Sequence, residues 1–477
     1  MLGGLAARWL PAASPRTRLI VLVLAENMRA DAFDPGNPQL APGGFRRLLE
    51  KGAWFPDCRH LSSTFSACGI ANLATGAWPS QHGIVADSWY DRAAGGPVAA
   101  SDEDLLATTL GAQAVAAGAR VSVVALTRAH AALFAGTRGA RLFFLDDRGQ
   151  FAASGVAPDW LDSYNQSKPL EAARGAAWMA VNAVPDAPPL RTLTFEASRP
   201  QEFLSLYKAS PFGQTALFDF AGELVGRDKL GQGDDPDLLC IMDGSAALLG
   251  YETGGRSPLM NQMVLQLDRR LESLLNLLSH TVGENGFNLV LCAAHGAPPE
   301  PPPAARPRMA VYGETIAQAV ESAIKGGGSH VEKYVYPFLY LRGGEGDPES
   351  VRLLAARAAL EQPAVAGFYT ARGACSTHDE WERRFRNSFH MKRSGDVMLS
   401  YRPEYVEDFG AGRGISYGSL YNYDARVPLC FYGPQFRAGV FESPVEAVDV
   451  APTMARAMGI AEPSSAAGRV LGEALAL

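Results

Sequence analysis

Residues 63–76, STFSACGIANLATG, decide how this chain is read. Ser66 stands where it would N-cap a helix over Ala67–Thr75, because a serine hydroxyl there accepts a backbone N–H of the first turn. The same hydroxyl is a candidate nucleophile, although no histidine base or metal is evident around it to activate it. Outside this stretch, short apolar runs recur at Leu19–Ala25, Val121–Leu126, Leu238–Met242, Asn288–Ala293, Asp396–Tyr401 and Val427–Tyr432. They lack polar alternation, which predicts strands covered on both faces, as in a parallel sheet. Helical patterns separate them. Phe45–Lys51 stops at Gly52, and Ser101 with Asp104 forms a capping box predicting a helix over Leu105–Ala117. Met260, Val264, Leu267, Leu271, Leu274 and Leu278 make a three-and-four-spaced stripe, and Ala451–Met458 ends at Gly459. The alternation implies an α/β fold: a doubly wound, mostly parallel sheet with helices on both faces.

Two stretches, about 137–236 and 297–413, interrupt the alternation and are read as insertions that build a cap. The second opens on the proline-rich segment Pro298–Pro307, either a solvated connector or a polyproline ligand for a partner. Gly326–Gly328 reads as a turn. The expected organisation is an N-terminal arm over residues 1–18 and one domain over 19–477. No internal repeat is apparent.

The 477 residues are 47% hydrophobic and 19% charged, the composition of a globular protein with ample core. A net charge of −7 without basic runs argues against nucleic acid as a partner. No apolar stretch has the length of a membrane span. The six cysteines lack metal-type spacing, and a reducing compartment is the simpler reading. Met1–Arg18 carries Arg8, Arg16 and Arg18, no acidic residue and no secretory h-region. It reads as an organelle-targeting segment or as an ordered arm. The expected location is therefore soluble and intracellular, in the cytoplasm or an organelle such as the mitochondrion.

Blocks in fixed order resemble the alkaline phosphatase superfamily: LIVLVLAENMRAD (Leu19–Asp31), GGFRRLLEKG, the stretch from Ser63 to Asp91, SPFGQT (Ser210–Thr215), DKLGQGDDPDLL, NLVLCAAHGA (Asn288–Ala297), KRSGDVMLSY (Lys392–Tyr401), YGSLYNYDARVPLCFYG (Tyr417–Gly433) and EAVDVAPTMARAMGI. The branch resembled most is the threonine-nucleophile bacterial alkaline phosphatases, with nucleotide pyrophosphatase/phosphodiesterases as cousins. The resemblance implies two zinc ions at the carboxyl ends of the strands, which polarise the phosphate and activate the nucleophile. Carried over by position, the first aspartate ligand becomes Glu26 and the nucleophile Ser66. The middle aspartate–histidine pair becomes Ala247 and Tyr251, and the next pair becomes Ala294 and His295. The late histidine becomes Tyr417. One zinc site loses every ligand, and the other keeps at most Glu26, Ser66 and His295. The phosphate-contacting lysine and arginine become Thr127 and Ala129, flanking Arg128, and the asparagine contact becomes Asp87. Losing even an outer-sphere partner costs a zinc site about 10–100-fold in affinity, so no metal is expected.

The leading expectation is thus a catalytically inactive pseudoenzyme acting as a binding, scaffold or structural subunit, with a protein partner or larger assembly. The alternative is a phosphoric or sulfuric ester hydrolase using Ser66 with zinc in a reduced site. A third reading is an anion binder using Arg128 or Arg426. Glu26 is expected to pair with Arg426, and Tyr251 and Tyr417 to fill the vacated space. His82 reads as structural. His60, His130, His280, His330, His378 and His390 form no ligand spacing, and Asp146–Asp147 and Asp234–Asp235 read as loop carboxylates.

Overall fold

The run Leu19–Ala25 is buried along its whole length and lies in the middle of the main sheet. The computed structural model describes residues 17–136, 139–233, 235–298, 310–311, 313–324, 329–343, 347–377, 380–403, 405–410, 413–415 and 417–476. Most of Met1–Arg18, the proline-rich segment beyond Pro298, Gly326–Gly328, Asp234 and His378 lie outside the described residues.

In chain order the main sheet uses β1 (Leu19–Ala25), β2 (Ala53–Arg59), β3 (Val121–Ala125), β4 (Arg141–Leu145), β5 (Phe151–Ser154), β6 (Asp237–Asp243), β7 (Phe287–Ala293), β8 (Arg426–Tyr432), β9 (Gly439–Val440) and β10 (Val445–Glu446). Their spatial order is β9-β2-β8-β7-β1-β6-β3-β4-β5, with β10 beside β2. β7, β1, β6, β3 and β4 run parallel. β8 is antiparallel to both its neighbours, and β5 is antiparallel to β4. The architecture is the doubly wound, mostly parallel α/β sheet that the apolar runs predict. In register, Ala25 lies level with Asp243 and with Ala293. Three strand ends therefore finish in one row, and Glu26, Gly244 and Ala294 leave it side by side. Open α/β sheets bind their ligands outside such carboxyl ends.

The helices that position the site are α1 (Ser66–Thr75), α2 (Arg128–Ala135), α3 (Pro211–Arg227), α4 (Ser245–Thr253) and α5 (Pro258–Thr281). The apolar stripe on α5 is buried at Met260, Leu267, Leu271, Leu274 and Leu278, and Ser257 Oγ caps its start by accepting Met260 N–H at 3.1 Å. Burying one such leucine contributes roughly 1.5–3 kcal/mol, which anchors α5 firmly on the sheet. The helix expected over Leu105–Ala117 is shorter. The Ser101–Asp104 box closes only a 3-10 turn at Asp102–Asp104, and the helix proper, Leu110–Ala116, starts behind Thr109, which caps Ala112 N–H.

The first expected insertion is partly main sheet, since β4 and β5 extend the sheet edge and Phe220 of α3 stacks on Phe151 at 4.0 Å. The second region contains its own antiparallel sheet, ordered Val331–Val335, Phe338–Leu341, Val397–Tyr401, Val365–Thr370. With the helices Gly313–Ala323 and Pro348–Leu360 it closes a separate core around Val320, Leu339, Ala355, Val365 and Leu399. The run Asp396–Tyr401 thus belongs to this second sheet, because its burial on both faces comes from a different pair of layers.

Candidate functional site

Ser66 is the first residue of α1, not its N-cap. The N-cap is Phe65, in extended backbone and without a side-chain cap. The Asp87 carboxylate supplies the missing cap by accepting Ala67 N–H at 2.9 Å. Freed from capping, Ser66 Oγ lies 3.0 Å from His295 Nε2. His295 Nδ1 is 2.8 Å from the Gly296 carbonyl, which can only accept, so Nδ1 carries the proton and Nε2 accepts the serine hydroxyl. Burial holds His295 below the ordinary histidine range, opposed by attraction to Glu26, and so keeps this neutral tautomer. α1 can approach so closely because Gly69 has no Cβ; one placed there would lie 1.9 Å from the Ala294 carbonyl oxygen. α1 ends at Gly76, whose φ of 67° suits glycine.

Glu26, at the end of β1, is 2% exposed. Its expected partner Arg426 is elsewhere. Arg426 opens β8, pairs in register with Arg59, donates to the Pro56 carbonyl at 2.7 and 2.9 Å, and lies 3.6 Å from Asp57. Because its side chain is 48% exposed, Arg426→Ala is expected to change stability by no more than about 1 kcal/mol in urea denaturation. The partner of Glu26 is His130, whose Nδ1 is 3.0 Å from Glu26 Oε1. Burial opposes ionisation of both groups, but their mutual attraction and hydrogen bond prevail. Glu26 is held well below the carboxylate range, and His130 is raised to about 9. An imidazolium therefore sits against the carboxylate that the resemblance assigns to a metal.

His130 was missed in the sequence because it is 104 residues from Glu26. The available signal was its spacing, three residues beyond Thr127, in the first turn of α2. Thr127 is the N-cap of α2 and accepts His130 N–H, while Arg128 and Ala129 point to solvent. A second missed carboxylate is Asp243, the last residue of β6. It is buried, is held above the carboxylate range by burial, and accepts Gln214 Nε2–H at 2.5 Å and Ser245 N–H at 3.1 Å.

Tyr417 stacks on His295 with ring centroids 4.3 Å apart and donates to Asp87 Oδ2 at 3.2 Å. Ala294 is buried under α1, and Ala247 is half-buried on α4. Tyr251 also lies on α4, with its side chain outside the described residues. The surviving donors are already engaged, Glu26 by His130, His295 by Ser66 and Gly296, and Asp87 by Ala67 and Tyr417. Among the described residues no group of three or more His, Cys, Asp or Glu side chains is placed to hold a metal ion. These side chains do not fit a dinuclear zinc centre, which needs several free anionic or imidazole ligands at short range.

Two further histidines brace the site. His60 Nε2 donates to the Ala293 carbonyl at 2.9 Å, and its Nδ1 accepts Asn72 Nδ2–H at 3.1 Å. His82 Nδ1 accepts Ile84 N–H at 3.1 Å, so its Nε2–H donates to Asn72 Oδ1 at 2.9 Å. With the Asn72 amide in this orientation every ring nitrogen has a partner of the right kind. Burial pushes both rings down, His60 to about 4 and His82 to about 3, so both are neutral: His60 ties α1 to the end of β7, and His82 ties α1 to the Ile84 backbone.

The family of type I phosphodiesterases / nucleotide pyrophosphatases matches residues 20–412. Alkaline phosphatase PafA of Elizabethkingia meningoseptica is 24% identical, over 97% of this chain and 95% of its own. Alkaline phosphatase PhoV of Synechococcus elongatus is 23% identical, over 98% and 94%. Among solved structures, wild-type PafA superposes with a TM-score of 0.84 at 22% identity, covering 98% of this chain and all of that one. Phosphonoacetate hydrolase from Sinorhizobium meliloti 1021 gives 0.61 at 19% identity, over 94% and 96%. No helix among the described residues is long and apolar enough to cross a membrane.

Proposed function

Because the chain belongs to the type I phosphodiesterase / nucleotide pyrophosphatase family, we propose that it keeps the phosphoester-hydrolase scaffold without the two-metal chemistry and serves as a binding member of that family. The observation that carries this reading is the Glu26–His130 ion pair, 3.0 Å across, in place of a carboxylate–metal bond. Alanine and tyrosine at Ala247, Ala294 and Tyr417 fit it, since alanine cannot ligate and a neutral phenol is a poor zinc ligand. Burial holds the Tyr417 phenol well above its ordinary range.

A second reading is a phosphoric ester hydrolase, and the comparisons weigh towards it, because curated relatives are named as alkaline phosphatases. The observation in this chain that favours it is the Ser66 hydroxyl donating to His295, the arrangement of a nucleophile and its base. Asp87 argues against it, since a carboxylate sits on the Ala67 amide where an anionic substrate would need a donor. The deciding experiment is elemental analysis of the purified protein with aryl phosphate and phosphodiester assays on the same sample. The expected result is no stoichiometric zinc and no turnover above that of Ser66→Ala. Turnover that is lost in Ser66→Ala overturns the binding reading in favour of the hydrolase.

A further inference from the structure

Asp243, the last residue of β6, is 1% exposed, and among the described residues no Lys, Arg or His side chain forms an ion pair with it. The two hydrogen bonds it accepts, from Gln214 Nε2–H at 2.5 Å and Ser245 N–H at 3.1 Å, come from neutral groups. The nearby charge of Glu26 is answered by His130, so that pair is neutral as a whole and leaves Asp243 uncompensated. Buried charges are as a rule paired or bound to a metal.

The side chains around Asp243 carry unused oxygens. Gln214 is fully buried on α3, and the amide that holds Asp243 through Nε2 has no partner for its Oε1. Turning that amide over would not help, because it would aim Oε1 at the carboxylate and strand the nitrogen. Ser245, equally buried at the start of α4, brings its Oγ beside the same carboxylate without meeting it, or any other group, in hydrogen-bond geometry. Buried polar atoms normally have a partner. Every unused atom here is an oxygen, the donor that hard cations take. One carboxylate balances one positive charge, whereas calcium gathers about six to eight oxygens and several carboxylates. We propose that Asp243, Gln214 Oε1 and Ser245 Oγ hold a single alkali-metal cation at the end of β6. None of the three stands at a position that the resemblance assigns to zinc, so the proposal is independent of whether Ser66 is catalytic.

The test is thermal melting of the full-length chain in sodium, potassium or N-methyl-D-glucamine chloride at equal ionic strength, with a chelator of divalent ions present throughout. The expected result is a melting temperature that rises saturably with sodium or potassium over N-methyl-D-glucamine, as a ligand bound only by the fold implies. Sodium NMR of the same sample should show saturable line broadening. Asp243→Asn should abolish both effects while keeping the fold, since the Gln214 amide can turn to accept from the new side-chain nitrogen. Ser245→Ala removes a hydroxyl that holds nothing else, so it decides the matter should Asp243→Asn fail to fold, and it should weaken the cation several-fold. Coincident melts in the three salts, a cation response kept in Asp243→Asn, or unchanged cation affinity in Ser245→Ala would each overturn the proposal.

Discussion

His130→Ala is expected to destabilise the fold by about 3 kcal/mol at pH 7, read from urea denaturation. The wild-type pair is not itself a large net stabiliser, because burying two charges costs nearly what their attraction returns. The asymmetry lies in breaking it. Glu26 is 2% exposed, and without His130 its charge has no cation in contact, whereas His130 is 30% exposed and tolerates loss of its partner better. Glu26→Gln should therefore cost less than His130→Ala. The double variant should cost clearly less than the sum of the two, since each single change already removes the pair. Strict additivity in that cycle would sink the claim that the two residues form one unit.

The pair also sets a pH window. His130 is raised to about 9 in the fold, so its contribution is complete below its unfolded value near 6.5 and is lost as pH climbs through about 9. Glu26 is lowered from 4.5, so its contribution is complete above that value and is lost as pH falls towards about 2. The difference in stability between wild type and Glu26→Gln should be largest between pH 4.5 and 6.5 and shrink towards pH 9. His130→Ala should behave differently. Its lone buried Glu26 is driven up, so the variant regains stability as pH falls from 7 towards 4.5.

What was legible in the sequence follows from these contacts. Runs such as Leu19–Ala25 betray buried strands because both faces are covered; Gly459 marks a helix end because its φ of 69° is left-handed, and Gly52, with extended backbone, because a Cβ there would lie 2.6 Å from the Leu48 oxygen. Which sheet a buried run joins is not written in its periodicity, as Val397–Tyr401 illustrates: it is buried at every residue, like β1, yet sits in the second sheet. β4 and β5 were obscured because both fall within the stretch read as an insertion, and β5, the outermost strand, is short and mostly half-buried. The positions aligned with Ser66, Glu26 and His295 could be carried over one by one, since they follow strand ends in fixed order. The side chain facing Glu26 could not. Parallel register places β1 two strands from β3, and α2, which follows β3, thereby brings His130 to Glu26. Arg426 looked suitable by charge and order, but β8 lies two strands from β1, beyond β7, and its first residue is held instead by the Pro56 carbonyl of β2.

Gly69→Ala is expected to cost more than about 3 kcal/mol, or to leave no folded protein, because the contact it violates is backbone on both sides. Helix propensity alone predicts the opposite sign: alanine in place of an interior glycine should stabilise α1 by about 1 kcal/mol. The geometry overrules propensity. The new Cβ would lie 1.9 Å from the Ala294 oxygen, 2.6 Å from its carbonyl carbon and 2.9 Å from its Cα, and no side-chain rotation relieves such a clash. Nor can the strand end retreat easily, since Ala294 N–H is bonded to the Ala25 carbonyl at 3.0 Å and His60 grips the Ala293 carbonyl at 2.9 Å. α1 would have to lift from the row of strand ends, carrying Ser66 away from His295 and Ala67 away from Asp87. Thermal and urea melts of Gly69→Ala beside Gly226→Ala, a helical position where the Cβ meets nothing within 4 Å, separate the two forces. Stabilisation in both would show that α1 is not pressed onto β7. Loss only at Gly69 would show that the closeness of α1 to the strand end holds the serine–histidine contact in place, whichever chemistry that contact serves.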